Sequence, residues 1–183
     1  MYTASQQKKE NIAEYLLYMW HIEDLIRANN FDIEKIEETI LSKYTSLSPD
    51  EKKKLRDWYE SLIDMMAREG VKERGHIQLN ENVLIQLNDL HNRLISSDKY
   101  PKYSSLYYQI LPMIVELRAK AGKDKVGEIE TAFNALYGLM MLRLSRKEIS
   151  KETQTASKEI SMFLAMLSHY YKLDYNNELV FED

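Results

Sequence analysis

The chain has 183 residues, about the size of one domain, and its 44% hydrophobic and 30% charged content is that of a folded globular protein. Because 25 basic and 29 acidic side chains leave a net charge of -4, no general positive field is present to bind nucleic acid. The lack of cysteine excludes disulfides, thiolate metal sites and cysteine nucleophiles, and the small numbers of glycine (5) and proline (3) favour long helices.

Apolar residues recur at helical spacing from the start of the chain. They predict a first helix from about Gln7 to Ala28 and a short second helix capped by Asp32. The clearest start is the sequence SPDE, in which Ser48 is a natural N-cap, the proline suits the first helical position and Glu51 completes a capping box. This third helix is expected to end at Gly70.

Four more helices are predicted after Gly70. The fourth carries a stripe from Leu79 to Leu94, and the fifth begins near Pro101 and contains Pro112, which indicates a kink more than a break. The sixth, from Ile129, is apolar on almost every side and is therefore placed in the centre of the domain. The seventh runs from about Ser150 to Tyr171.

These elements predict an all-α protein, a single-domain bundle of six to seven helices that spans residues 1–183. Residues 172–183 contain few large apolar side chains and are expected to fray or to lie as an extended tail. No apolar stretch approaches the ~20 residues of a membrane-spanning helix, and the N-terminus has no signal-peptide pattern. The sequence therefore places the protein in the cytoplasm, away from membranes.

A helical wheel divides the polar residues of the first helix into two groups. His21 falls on the solvated stripe with Asp24. Glu23 instead lies within the apolar arc, where an isolated carboxylate would cost several kcal/mol, so it must be paired, neutralised or incompletely buried. Arg27, one turn further on, is an obvious local partner. Two interpretations stay open, an ion pair at the margin of the bundle or part of a polar pocket between helices.

Further polar residues are expected inside the protein. His91 lies at the edge of the leucine stripe of the fourth helix, as a hydrogen-bonded core histidine would. At least one of Glu130 and Asn134 should be buried, because the sixth helix has no clearly polar side. His76 follows Glu73 by three residues, but a di-iron bundle needs two such Glu-x-x-His pairs and two more glutamates, and only this pair is present.

Thirteen tyrosines are unusual for a chain of this length. Four of them, Tyr100, Tyr103, Tyr107 and Tyr108, cluster around the start of the fifth helix. Tyrosine combines a large apolar ring with a hydroxyl group that needs a partner, so the cluster predicts either interior packing or a recognition surface.

Three stretches of the sequence resemble a known family. KENIAEYLLYMWHIEDLIRA (residues 9–28), GHIQLN (75–80) and LHNRL (90–94) are similar to the bacterial domain-of-unknown-function family numbered 4924, which is associated with Bacteroidetes. The resemblance extends over nearly the whole chain. It implies a cytoplasmic helical protein of about this length, and it transfers no activity and no catalytic residue.

No complete catalytic or cofactor-binding set is found, since Gly-rich phosphate loops, GxSxG and HExxH are missing from the sequence. The leading prediction is a non-enzymatic helical bundle that acts through protein contacts, with a protein partner or by self-association, and without a cofactor, nucleic acid or a membrane. The alternative is a small-molecule or metal site, which could be enzymatic, in a polar pocket between helices. Its candidate residues are Glu23, Arg27, His91, Glu130 and His76.

Overall fold

The computed structural model describes residues 2–120 and 126–181, which form eight α-helices and one short 3₁₀ helix. The elements in chain order are α1 (Tyr2–Glu10), α2 (Ile12–Ala28), α3 (Ile33–Thr39), the 3₁₀ helix (Leu41–Lys43), α4 (Pro49–Arg68), α5 (Gln78–Ile95), α6 (Pro101–Lys120), α7 (Glu128–Leu144) and α8 (Lys151–Tyr175). The prediction of an all-α protein is confirmed. Within these residues no helix has both the length and the apolar character needed to cross a membrane.

A break at Asn11 accounts for the difference from the predicted six to seven helices. The expected first helix is divided into α1 and α2 at this residue. The Asn11 side-chain oxygen accepts a hydrogen bond from the backbone N–H of Ala13 at 3.2 Å, and the Ser168 hydroxyl donates to the same oxygen at 2.7 Å. Asparagine favours such capping geometry over a place inside a helix, so it begins α2 instead of continuing α1.

The first of two compact units contains residues 2–9 and 14–82. Its α3 packs against α4, and the Arg56 guanidinium on α4 pairs with the carboxylates of Glu34 and Glu37 on α3. Helix α2 buries the apolar side that the wheel predicted. The large buried side chains of this unit are Tyr15, Leu16, Met19, Trp20, Ile22, Ile26, Ile36, Leu41, Tyr59, Leu62, Met66 and Ile77.

The second compact unit contains residues 10–13, 83–120 and 126–181. Helices α6, α7 and α8 pack against one another in it. Helix α7, the predicted sixth helix, buries Phe133 completely in its first half, whereas Leu144 at its end is 62% exposed. Other buried side chains of this unit are Leu87, Leu90, Leu94, Tyr103, Ile110, Ile114, Ile129, Ala132, Ile160, Phe163, Leu164 and Leu167. The prediction of a single domain over the whole chain stays a prediction.

Several predicted helix boundaries agree with the structure and one is displaced. The capping box at Ser48 and Glu51 is formed, and α6 continues through Pro112 without a break. Helix α8 continues to Tyr175, beyond the predicted end at Tyr171, and residues 178–181 follow without helical structure. The last two residues of the predicted tail lie outside the described residues.

Replacing Ser48 with alanine should lower the free energy of unfolding by about 1 kcal/mol, because the backbone N–H of Glu51 then loses its capping partner. Chemical denaturation measures this loss. The matched control is Ser46→Ala, an exposed serine in the preceding turn, which should change stability far less. Equal losses in the two variants would show that the capping box contributes nothing specific.

Candidate functional site

Glu23 is the most unusual polar residue of the first unit, because its side chain is completely buried. Its Oε1 atom accepts hydrogen bonds from the backbone N–H of Ile77 at 3.1 Å and from the side-chain amide of Asn80 at 2.7 Å. Its Oε2 atom lies 2.5 Å from Nδ1 of His76. The helical wheel therefore placed Glu23 on the correct side of its helix, and of the alternatives left open the structure shows a buried carboxylate with three polar partners.

These partners place the Glu23 carboxylate at the start of α5. Helix α5 begins at Gln78, so the N–H of Ile77 is one of the groups at a helix start that find no partner inside the helix. The positive end of the helix dipole also favours an anion at this position. Glu23 therefore acts as an N-terminal cap supplied by another helix, and the Glu69 carboxylate accepts a second hydrogen bond from the N–H of Gln78 at 2.6 Å.

His76 is held between Glu23 and an aromatic ring. Its imidazole is stacked on Trp20, with ring centroids 4.2 Å apart and planes 9° from parallel. The side chain is 19% exposed, in contrast to the fully buried carboxylate. Because Nδ1 is committed to Glu23, Nε2 is the ring nitrogen that could meet a ligand. The carboxylate fixes the orientation of the imidazole, as it would in a catalytic or metal-binding site. To such a site this pair would contribute one histidine and one carboxylate.

Arg27 has different partners from the one that the sequence suggested. Its guanidinium pairs with Asp24 at 2.8 Å and donates to the carbonyl oxygens of Val71 at 3.0 Å and Gly75 at 2.5 Å. The expected ion pair with Glu23 is therefore wrong. The reason is local geometry, because the loop between α4 and α5 brings backbone carbonyls to Arg27, and Gly75 enables this path with a φ of +83°.

Asn80 belongs to this cluster, and the sequence analysis did not identify it. It is the third residue of α5, a position from which a side chain can reach back to the helix start. Its position near the helix start could have suggested a capping role. The sequence could not show that Asn80 contacts the Glu23 carboxylate, because the two residues lie far apart along the chain. The Asn80 Oδ1 atom is buried and has no hydrogen-bond partner within the described part of the chain.

His21, predicted to lie on the solvated side of the first helix, is half-buried. Its Nδ1 atom is buried and also finds no hydrogen-bond partner among residues 2–120 and 126–181. The wheel therefore assigned Glu23 to the interior correctly and overestimated the exposure of His21. A wheel gives the direction of a side chain but not the coverage contributed by other segments.

His91 lies in an aromatic cluster of the second unit. It is 4% exposed, and Nδ1 is 2.6 Å from the hydroxyl oxygen of Tyr103. Its ring meets Tyr107 and Phe163 edge to face at centroid distances of 4.7 and 5.9 Å. Burial lowers the pKa of His91 and raises the pKa of Tyr103, so a neutral imidazole accepts a hydrogen bond from a protonated phenol. The prediction of a hydrogen-bonded core histidine is confirmed.

Glu128, at the start of α7, contacts this tyrosine cluster, and the sequence analysis did not single it out. The Tyr107 hydroxyl donates a hydrogen bond to Glu128, which also lies 3.6 Å from Arg118. Burial and this hydrogen bond raise the pKa of Tyr107. Glu130 is half-buried and Asn134 is exposed, so the expectation that one of them is buried is wrong. Neighbouring segments cover α7 less at these two positions than its apolar sequence suggests.

The predicted site residues fall into two groups. Glu23, Arg27 and His76 belong to the first unit, where they all hold the loop and the start of α5, whereas His91 and Glu130 belong to the second unit. A pocket that contains all five residues stays a prediction. Across the residues that the structure describes, no group of three or more histidine, aspartate or glutamate side chains could hold a metal ion.

Replacing Glu23 with alanine should lower the free energy of unfolding by about 3 kcal/mol, because the N–H of Ile77 and the amide of Asn80 lose their buried acceptor. Chemical denaturation gives the value. Glu73→Ala is the matched control, since Glu73 is an exposed carboxylate in the loop before α5. A loss below that of the control would contradict the capping role.

The stability of the protein should fall as the pH decreases below about 6.5, since the unfolded chain then binds a proton that buried His91 resists. One such group contributes a slope of at most about 1.4 kcal/mol per pH unit. Denaturation at several pH values measures it. The slope should decrease in His91→Gln, whose side-chain oxygen can still accept from Tyr103, and persist in His169→Gln at an exposed position. Identical slopes in both variants would exclude His91 as the cause.

Comparison with known proteins identifies a family and no nearer relative. No curated protein and no solved structure matches the sequence. A family model described as a domain of unknown function, DUF4924, matches residues 1–178. The match confirms the resemblance of the three sequence stretches, while the association with Bacteroidetes stays a prediction. Because the matched region covers nearly the whole length, the chain belongs to the DUF4924 family.

Proposed function

We propose that this protein acts without chemistry of its own, through contacts with a second copy of the chain made by the outer face of α6. The observation that carries the proposal is a row of apolar residues on the solvent side of this helix, which we call the α6 stripe: Tyr108, Pro112, Val115 and Ala119. Tyr108 is 60% exposed and Val115 is 53% exposed. The other two residues are exposed as well.

The α6 stripe lies opposite the buried face of the same helix. That face carries Tyr103, Tyr107, Ile110 and Ile114. At 100° per residue the stripe projects about 140° away from it, where a solvated helix normally carries polar residues. Exposed tyrosine with neighbouring apolar residues is typical of a protein interface. The stripe therefore supports the interpretation of the tyrosine cluster as a recognition surface at Tyr108.

The sequence around Pro112 favours a second copy as the partner. No charged residue occurs from Tyr103 to Val115, so two copies can approach along this segment without the repulsion expected from their net charge of -4. In an antiparallel arrangement about a two-fold axis at Pro112, Tyr108 of each copy would face Val115 of the other. Because only one face of a single helix takes part in the contact, we expect the interface to be small and the association to be weak.

Other parts of the proposal come from the sequence and stay predictions. They are the cytoplasmic location and a role that involves neither nucleic acid nor a membrane. A non-enzymatic role is supported by the use of Glu23, which caps α5 and fixes His76 in doing so. The alternative, a small-molecule or metal site, would need His76 Nε2 together with groups outside this cluster.

Val115→Glu should prevent self-association, because it places a charge against the Tyr108 ring of the other copy. We expect the unchanged protein to form a dimer with a dissociation constant between about 1 µM and 1 mM, as a small interface allows. Sedimentation equilibrium over a concentration series measures it. Gln109→Glu is the control, since it adds the same charge to an exposed position of α6 outside the stripe. A strictly monomeric unchanged protein would refute the proposal.

A further inference from the structure

The C-terminal segment lies as an extended piece against the second unit. After α8 ends, the backbone turns at Asn177, which has a φ of +57°. The backbone N–H of Val180 then donates to the Tyr100 hydroxyl oxygen at 3.2 Å, and that hydroxyl donates to the carbonyl oxygen of Val180 at 3.1 Å. One side chain therefore pairs with both backbone groups of a single residue in the segment.

The next residue of the segment is held through its ring. Phe181 lies under the Arg93 guanidinium, 4.7 Å from the central carbon to the ring centroid, and 5.4 Å from the ring of Tyr100. Tyr100 in turn packs edge to face on Tyr170 at 5.1 Å. Arg93 also pairs with Asp174 near the end of α8, which orients the guanidinium. We call Arg93, Tyr100 and Tyr170 the tail site.

The tail site has the two components of a peptide-binding surface. Hydrogen bonds to the backbone bind any extended segment, and a place for one side chain gives selectivity. Here the Tyr100 hydroxyl supplies the first component, and the Arg93 guanidinium supplies the second by a cation–π contact that favours an aromatic ring. The segment that meets both requirements is Glu178, Leu179, Val180 and Phe181.

The bound segment is only partly buried and leaves space beside it, and its Glu178 and Val180 are exposed. Val180 is 60% exposed although both its backbone groups are paired. A groove of about 590 Å³ adjoins the segment and is lined by Arg93, Ser96, Ser97, Asp98, Lys99 and Phe181. Segments with few buried apolar contacts open at low free energy, so this segment can leave the tail site without unfolding the helices.

We propose that the tail site binds residues 178–181 of a second copy, so that copies of this protein exchange their C-terminal segments. The segment bound within its own chain shows that the site fits this sequence, and the same contacts form when it comes from another molecule. The two arrangements differ in the effective concentration of the segment and in the turn at Asn177, which has to open before the segment reaches another copy. Exchange therefore increases with protein concentration. It does not depend on the α6 stripe.

Two complementary variants of the 183-residue chain test this exchange. Phe181→Ala loses the ring that contacts Arg93, so its own segment binds its tail site less tightly. Arg93→Ala weakens its own site and releases an intact segment. Labelled Arg93→Ala is titrated with Phe181→Ala and followed by fluorescence anisotropy, and each variant is titrated with itself. We expect the mixed pair to associate about tenfold more tightly than either variant alone, as loss of one cation–π contact implies.

Controls separate exchange from other association. Lys102→Ala removes an exposed positive charge near the tail site but leaves its own segment in place, so it should not bind labelled Arg93→Ala above background. If Arg93→Ala fails to fold, Tyr100→Phe replaces it, because this variant loses both hydrogen bonds to Val180. Association through the α6 stripe also occurs when each variant is titrated with itself. The signal of these titrations is therefore subtracted from that of the mixed pair.

Two outcomes would overturn the exchange. One is a mixed pair that associates no more tightly than the single variants. The other is binding of a peptide with a scrambled tail sequence to Phe181→Ala as tightly as labelled Arg93→Ala binds, which would show that the site does not select this segment. Neither outcome bears on the α6 stripe, whose test uses Val115→Glu.

Discussion

The buried carboxylate of Glu23 at the start of α5 is the constraint around which the first unit is organised. A carboxylate removed from water is tolerable only with good hydrogen-bond donors, and the helix start provides them together with a favourable dipole. Arg27 lies one turn along the same helix and holds the loop by its carbonyl oxygens. Two charged side chains of α2 thus fix both the path of the loop and the point at which α5 begins.

Properties that depend on helical phase could be predicted from the sequence. The interaction partners of a side chain could not be predicted where they lie far away along the chain. Glu23 and His91 were assigned to the interior because the wheel reads local periodicity, which is dictated by backbone geometry. Asp24, one partner of Arg27, lies on the same helix, but its backbone carbonyl partners could not be predicted, because they are positioned by a loop that reverses at Gly75. A wheel also cannot show how far neighbouring segments cover a helix, and this is why the exposure of Glu130 was misjudged.

The costly polar residues of this protein serve its own architecture, and its outer surface carries features that folding does not require. Glu23 and His91 are satisfied by neighbours within their own units. An apolar row on a solvated helix face does not stabilise the isolated chain, since its members bury little area. The tail likewise adds little to the stability of the isolated chain, since Val180 and Phe181 are bound by one hydroxyl group and one guanidinium. These two features are the ones on which we base the proposed contacts with other molecules.

The contact of Asn11 with Ser168 has a consequence for how the protein is assembled during synthesis. Residues 10–13 belong to the second unit, although nearly the whole first unit follows them in the chain. The hydroxyl that binds Asn11 is 157 residues away, so this contact forms only after that whole stretch has been translated. No single cut of the chain can release the second unit intact, because one of its pieces precedes the first unit and the rest follows it.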